Sequence, residues 1–357
     1  MTLFNDTMTP AERVGALLRG DPVDRIAVFP FALGFCARNV GYSLASMYED
    51  PDASFQAQLW TQEMYGWDHP PFYGYASYGS WEFGGPVEFP SSELQQAPTI
   101  PYYPVQSEND VDSLRLPDVT KAGMLPHAMK FCSLQRQHSF PAILVVGGAF
   151  TIAGNICGAD KLCRWMLKSP NVAHRIIRIA ADHILDVVDH WVAVFGPEAV
   201  LVHIWEPLAA NQIISPSQFE KFVLPYQIDV HRSILSRGIK HILCHICGEQ
   251  NLNLPHWKQI PMGSPGIVSV GHEVGIEEAI RTFGEQCIVA GDIEPRLIQE
   301  GTPDQVYQST RLCIETGRHS PRGYVLMPAC ELPPMAPPYN VFAMMKAVED
   351  FGYYARR

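Results

Sequence analysis

Val200-Leu201-Val202-His203-Ile204-Trp205 and His241-Ile242-Leu243-Cys244-His245-Ile246-Cys247 are two short apolar runs with a helix-like stretch, 215–237, between them. Short buried strands that alternate with helices are the mark of a parallel sheet built from βαβ crossovers. The alternation continues in both directions. Toward the N-terminus lies the run Ala142 to Val146, and toward the C-terminus lie Ile267 to Val270, Cys287 to Ala290 and Tyr324 to Met327. Helix-like segments at 121–138, 159–195 (broken at Pro170), 274–284, 302–317 and 338–351 separate or follow them. Strands expected near 26 and near 71 bring the count to eight. Eight parallel strands in one chain of 357 residues favour a (β/α)8 barrel over a doubly wound sheet. No glycine-rich fingerprint follows the first strand, and Gly147-Gly148 and Gly154 lack the Lys-Ser/Thr of a phosphate loop.

The flanks add two features. Thr9-Pro10-Ala11-Glu12 reads as a capped helix start, with Pro at the first helical position, and Gly20 ends that helix. The run Ile26 to Phe35 reads as a strand in its first half. Residues 65–89 are densely aromatic, and Pro86 to Pro117 carries six prolines with little helical periodicity. We expect one α/β domain spanning 1–357: a single (β/α)8 TIM barrel with an N-terminal helical extension and an irregular aromatic and Pro-rich insertion.

Composition excludes several function classes. Lys and Arg total 26 against 37 Asp and Glu, a formal charge of −11, and no dense basic run is present, so nucleic acid is not an expected partner. No stretch approaches the ~18 apolar residues that span a bilayer. Met1 to Pro10 is polar and lacks a secretory pattern, so a cytoplasmic location and free thiols are expected for the nine cysteines.

In a barrel, chemistry sits where strands run into loops. The side chains expected there are Phe35, Cys36 and Arg38; Tyr73 and Tyr75; Phe150, Thr151 and Asn155; Trp205 and Glu206; Cys244, His245, Cys247 and Glu249; His272 and Glu273; Asp292 and Glu294; and Cys330 and Glu331. His245 and Cys247, two residues apart at a strand end, point the same way. Cys330 ends the last strand. Cys2His is a zinc set that leaves a fourth position for water or substrate. Two buried cysteines and a core histidine would give the same pattern without a metal, and spacing alone leaves both readings open. Cys244 has the opposite parity and is expected to face the helices. It joins Cys36, Cys132, Cys157, Cys163, Cys287 and Cys313 as a packing residue. Glu206, an acid closing an apolar strand, needs a partner: metal, leaving group or salt bridge. Tyr73, Tyr75, Trp81 and Asn155 are candidate substrate contacts, with a packed aromatic loop as the equal alternative.

Several motifs together resemble the uroporphyrinogen decarboxylase superfamily. They are Thr9-Pro10-Ala11-Glu12-Arg13 with Leu18-Arg19-Gly20 and Asp24-Arg25; Ile214-Ser215-Pro216 with Phe219-Glu220-Lys221-Phe222-Val223-Leu224-Pro225-Tyr226; and Gly291-Asp292-Ile293-Glu294-Pro295 followed by Gly301-Thr302-Pro303. The resemblance covers nearly the whole chain and implies one (β/α)8 barrel. The decarboxylase branch grips porphyrinogen carboxylates with an Arg-Gln-Ala-Gly-Arg stretch. Here the matching region reads Gly34-Phe35-Cys36-Ala37-Arg38-Asn39, with a single Arg. The other branch comprises zinc methyltransferases that serve corrinoid proteins, such as methylcobalamin:coenzyme M methyltransferases and the methyltransferase I of O-demethylases. Its His-x-Cys with a distant Cys is matched by His245, Cys247 and Cys330. The family often has Asp where Glu206 stands, and Asn where Asp292 stands.

The resemblance therefore implies a methyltransferase with Zn2+ on those three ligands and a corrinoid (cobalamin) carried by a partner protein. The aromatic segment favours O-demethylation of a methoxylated small molecule, with Glu206 as acid to the leaving oxygen or as fourth ligand. A methylcorrinoid:thiol methyltransferase, a uroporphyrinogen decarboxylase and a non-catalytic tetrapyrrole-binding barrel stand as alternatives. A homo-oligomer is compatible with all of them.

Overall fold

A computed structural model describes residues 5–354; Met1–Phe4, the start of the polar N-terminal stretch, lie outside the described residues. Seven strands form: β1 (Ala27–Val28), β2 (Ala142–Gly147), β3 (Val200–Trp205), β4 (Ile242–Ile246), β5 (Gly266–Val270), β6 (Cys287–Ile293) and β7 (Tyr324–Pro328). They run in the order β1-β7-β6-β5 in one part of the chain and β4-β3-β2 in another, with helices following the strands in sequence, the alternation of a (β/α)8-type fold. The chain divides into two compact units, Met1–Pro71 with Ser91–Gln96 and Ser264–Arg357, and Phe72–Pro90 with Ala97–Gly263.

In the first unit, β7 pairs in parallel with β1 through Ala27–Val325 and Val28–Leu326, and with β6 from Val289–Tyr324 to Ile293–Pro328. β5 pairs with β6 from Gly266–Cys287 to Ser269–Ala290. The first helix, Pro10–Arg19, starts on the expected Thr9/Glu12 capping box and ends on Gly20. Beneath it Arg13 and Arg25 are buried, and Asp6, Asp24 and Asp68 surround them. Asp68 accepts from Arg13, from Arg25 Nη1 at 2.7 Å and from the Val28 amide at 2.8 Å. Buried charge is tolerable only when paired in this way.

In the second unit, β3 lies between β2 and β4, in register from Ala142–Val200 to Gly147–Trp205 and from Val202–Ile242 to Trp205–His245. The long segment 159–195 breaks at the expected place, into helices Ala159–Lys168 and Pro170–Phe195. Pro170 cannot continue the first helix but suits the opening of the second, where its missing N–H is not needed. No helix among the described residues is long and apolar enough to cross a membrane.

Three expectations need correction. The strand expected near 71 is reduced to one parallel bridge, Tyr73 with Leu144, because Pro70 and Pro71 have no N–H to give a ladder. β1 spans two residues, and Phe35, Cys36 and Arg38 ride on a helix, Leu33–Val40, instead of ending a strand. Pro30 stops the strand, and a uniformly apolar run has no period to separate strand from helix. Phe150, Thr151 and Asn155 likewise lie on a helix, Ala149–Cys157, that begins directly beyond β2. The Pro-rich stretch is irregular as expected, apart from a bridge between Glu88 and Thr99 and a short helix, Glu108–Ser113.

Candidate metal centre

β4 ends at Ile246, so His245 is in the strand and Cys247 is the first residue beyond it. His245 is buried and Cys247 is half-buried. The turn that follows needs Gly248 at φ +79°, in the left-handed region, where a side chain would also crowd Ala210 at 3.1 Å. Cys330 follows β7 and is half-buried. Its neighbour Glu331 is half-buried, and the loss of solvent together with the adjacent Cys330 pushes its carboxyl up to about 8. The Gly34 amide donates to Glu331 Oε1 at 3.4 Å, and the Leu332 amide donates to the Phe31 carbonyl at 2.6 Å, which ties this stretch to its own unit.

His245 and Cys247 stand where β4 ends in the second unit, and Cys330 stands two residues beyond β7 in the first. The donor set, one imidazole and two thiols, is zinc-like rather than magnesium- or calcium-like. Among the described residues, no second group of three His, Cys, Asp or Glu stands as a candidate metal site.

Six of the seven cysteines expected to be structural are buried, and Cys163 is half-buried. Burial pushes the thiols of Cys36, Cys132, Cys157 and Cys313 up to about 12, and that of Cys287 up to about 11. Such groups stay protonated and inert.

Glu206 follows β3 directly and is completely buried. Its Oε1 accepts from the Thr151 amide at 2.8 Å and from the Thr151 hydroxyl; its Oε2 accepts from Gln227 Nε2 at 2.7 Å and from the Phe150 amide at 3.2 Å. Two of these donors are backbone amides of the first turn of Ala149–Cys157, where the helix dipole favours an anion. Four donors use all the lone-pair positions of a carboxylate. Burial still pushes the group up to about 7 against them. Gly148 is required here, because a Cβ would collide with Glu206 Oε2 and crowd Gln227 Nε2. Thr151 was visible in the sequence as a strand-end residue; Gln227 carried no local signal, since its role depends on contact with residue 206.

The candidate substrate contacts are engaged within the second unit. Tyr73 is buried on Phe131 at 5.7 Å between ring centres, and Trp81 lies edge-on to Phe89 at 5.6 Å. Tyr75 donates to Glu82 Oε1 at 3.2 Å. Asn155 Nδ2 donates to the carbonyls of Ala76 and Tyr78, both at 2.8 Å, and so holds the aromatic segment in place. Of the weaker candidates, His272 and Glu273 form a partly exposed pair at 3.5 Å, and Asp292 lies 3.5 Å from the Cys313 thiol.

Known proteins give the same reading of the fold. The chain is 28% identical over 212 residues to a methylated-thiol–coenzyme M methyltransferase of Methanosarcina mazei, a match that takes in 59% of this chain and about half (53%) of that relative. It is 22% identical to the methylcobamide:CoM methyltransferase MtaA of Methanosarcina barkeri, over 96% of this chain and 98% of the relative. A solved methyltransferase from Methanosarcina mazei superposes with a TM-score of 0.82 over 96% of this chain and 99% of its own, at 20% identity. The family model for uroporphyrinogen decarboxylase (URO-D) matches residues 9–351, and the chain belongs to that family.

Proposed function

We propose that the chain is a zinc-dependent methyltransferase that exchanges a methyl group with the corrinoid of a separate protein, and that His245, Cys247 and Cys330 hold the metal. The observation that carries the reading is the donor set at the strand ends: an imidazole and a thiol two residues apart where β4 ends, and a second thiol just beyond β7. A porphyrinogen decarboxylase has no use for that donor set. The relatives named for methyl transfer to coenzyme M support the same choice.

The three ligands set the chemistry. Two thiolates balance a 2+ charge, so the site is neutral before substrate arrives. Zinc held there supplies mild Lewis acidity and keeps a bound thiol as a nucleophilic thiolate. His245 is kept in place through its carbonyl, which accepts from the Glu206 amide at 3.1 Å. Glu206 in turn fixes the start of Ala149–Cys157 against the helix that carries Gln227. In this proposal it positions the β3 end.

A thiol is the methyl acceptor favoured by the neutral site. The aromatic segment 65–89 favours the second reading, demethylation of a methoxylated aromatic, with Tyr73, Tyr75, Trp81 and Asn155 building the wall against which such a ring would lie. Assays with methylcobalamin and thiols, and with methoxyarenes and a Co(I) corrinoid, separate the two.

Metal analysis tests the common core. Purified protein should hold about one equivalent of zinc, and Cys247→Ala should lose both metal and turnover. A protein that keeps less than about half an equivalent after reconstitution refutes the reading. So does a Cys247→Ala variant that retains zinc.

A further inference from the structure

Cys247 is followed at three residues by Gln250, whose side chain is completely buried. Its Nε2 points at the Cys247 carbonyl at 3.4 Å. Its Oε1 accepts from Trp257 Nε1 at 2.9 Å and from Asn253 Nδ2 at 3.2 Å. An indole N–H can only donate, so it fixes which end of the Gln250 amide is oxygen. The amide protons are thereby aimed at the peptide of Cys247.

The frame around this group is itself anchored. Asn253 Nδ2 also donates to the Ala209 carbonyl at 2.9 Å, in the turn beyond β3. The Asn211 amide donates to the Glu249 carbonyl at 2.7 Å, and the Glu249 amide donates to Gln212 Oε1 at 2.9 Å. Trp257 is buried edge-on against Phe219, with ring centres 5.1 Å apart. A buried amide is a costly filler for a loop that leucine could pack. Its value lies in direction: rotating the Cys247 peptide swings the Cα–Cβ bond and carries the thiol with it.

We propose that Gln250, oriented by Trp257, is a positioning residue for the Cys247 thiolate. The proposal rests on the metal reading above. Supporting groups of this kind affect metal affinity by about 10–100-fold although they never touch the ion.

Three variants test it. Gln250→Glu keeps both acceptor contacts but loses the donor to Cys247. Gln250→Leu loses all three bonds. Trp257→Phe frees the amide to turn over. Zinc affinity is read by competition with a chromophoric chelator, and thiolate geometry by the charge-transfer band of the cobalt-substituted protein. The melting temperature of each apo-protein reports the fold.

Gln250→Glu should bind zinc about 10–100-fold more weakly and alter the cobalt band, with a smaller loss in Trp257→Phe. If Gln250→Leu does not fold, the other two carry the comparison. A Gln250→Glu protein whose affinity stays within about twofold of wild type overturns the proposal, even if every apo-protein melts earlier, because that is the pattern of a purely structural amide. A wild-type protein that binds no zinc fails the metal reading itself, a result distinct from variants that bind as tightly as wild type.

Discussion

Two clusters of carboxylates, one in each unit, are held by opposite means. In the first, Asp24 and Asp68 face Arg13 and Arg25, charge against charge. In the second, Glu82 and Glu206 meet only neutral donors in the hydrogen bonds that hold them. Glu82 accepts from the Gly79 amide at 2.7 Å, the Met124 amide at 3.0 Å and the Tyr75 hydroxyl at 3.2 Å. The consequence is a divergence in proton affinity. Asp24 is drawn down to about 2 and Glu206 is pushed up to about 7. Neutral donors satisfy a carboxyl geometrically without requiring it to be charged; an arginine requires the charge. The arrangement near the candidate centre therefore holds protons in reserve, and the arrangement at the chain's beginning serves as a lock.

The sharpest way to break the comparison is to remove one charge from the lock. Asp68→Ala leaves two buried guanidiniums short of a partner, and stability should fall by about 3–5 kcal/mol in a denaturant or thermal melt. A loss below about 1 kcal/mol would mean that Asp6 and Asp24 suffice for both arginines. The neutral network should respond less. Glu206→Gln keeps size and shape but turns an amide NH2 toward two of the four donors, for an expected cost of about 1–3 kcal/mol. Its effect should extend to the β3 end and weaken zinc binding modestly, whereas Asp68→Ala should leave the zinc affinity of the folded fraction unchanged.

The sequence shows the lock and the network unequally. Asp24-Arg25 and Arg13 are read directly as motif residues, and the later strands fall where the apolar runs place them: β3 starts and ends at Val200 and Trp205, as expected. Repeating apolar runs between periodic helices are local signals. His245 and Cys247 fall at the end of β4 and Cys330 just beyond β7, close to where the apolar runs put them; their role as ligands is a proposal. Gln227, the partner of Glu206, and Trp257, the partner of Gln250, carry no local signal in the sequence, because their roles come from contacts across separate elements. Glu82 is hidden by the same logic inside an aromatic stretch that reads as packing.

The smallest effect is on pH dependence, and here the two regions should differ in sign. For Asp24, burial works upward, but the Arg13 hydrogen bond, with amides of Thr7 and Met8, overcomes it and takes the carboxyl from 3.8 to about 2. Its folded pKa lies below its unfolded one, so its contribution is present above about pH 4 and is lost as pH falls through about 2. For Glu82, burial raises the carboxyl above 4.5, and the amides of Met124 and Gly79 offset this only in part. The folded protein then keeps a proton that the unfolded chain has released. Stability is greatest below pH 4.5 and declines as pH rises through the folded value. Melting temperature against pH should therefore show two limbs with different owners. Asp24→Asn should flatten the acid limb and leave the upper one; Glu82→Gln should leave the acid limb and make the upper one shallower, the remaining slope belonging to Glu206 and Glu331. If Glu82→Gln leaves the upper limb as steep as in the wild type, the Glu82 carboxyl is ionised in the folded state, and the contrast with Asp24 reduces to one of partners without a difference in proton affinity.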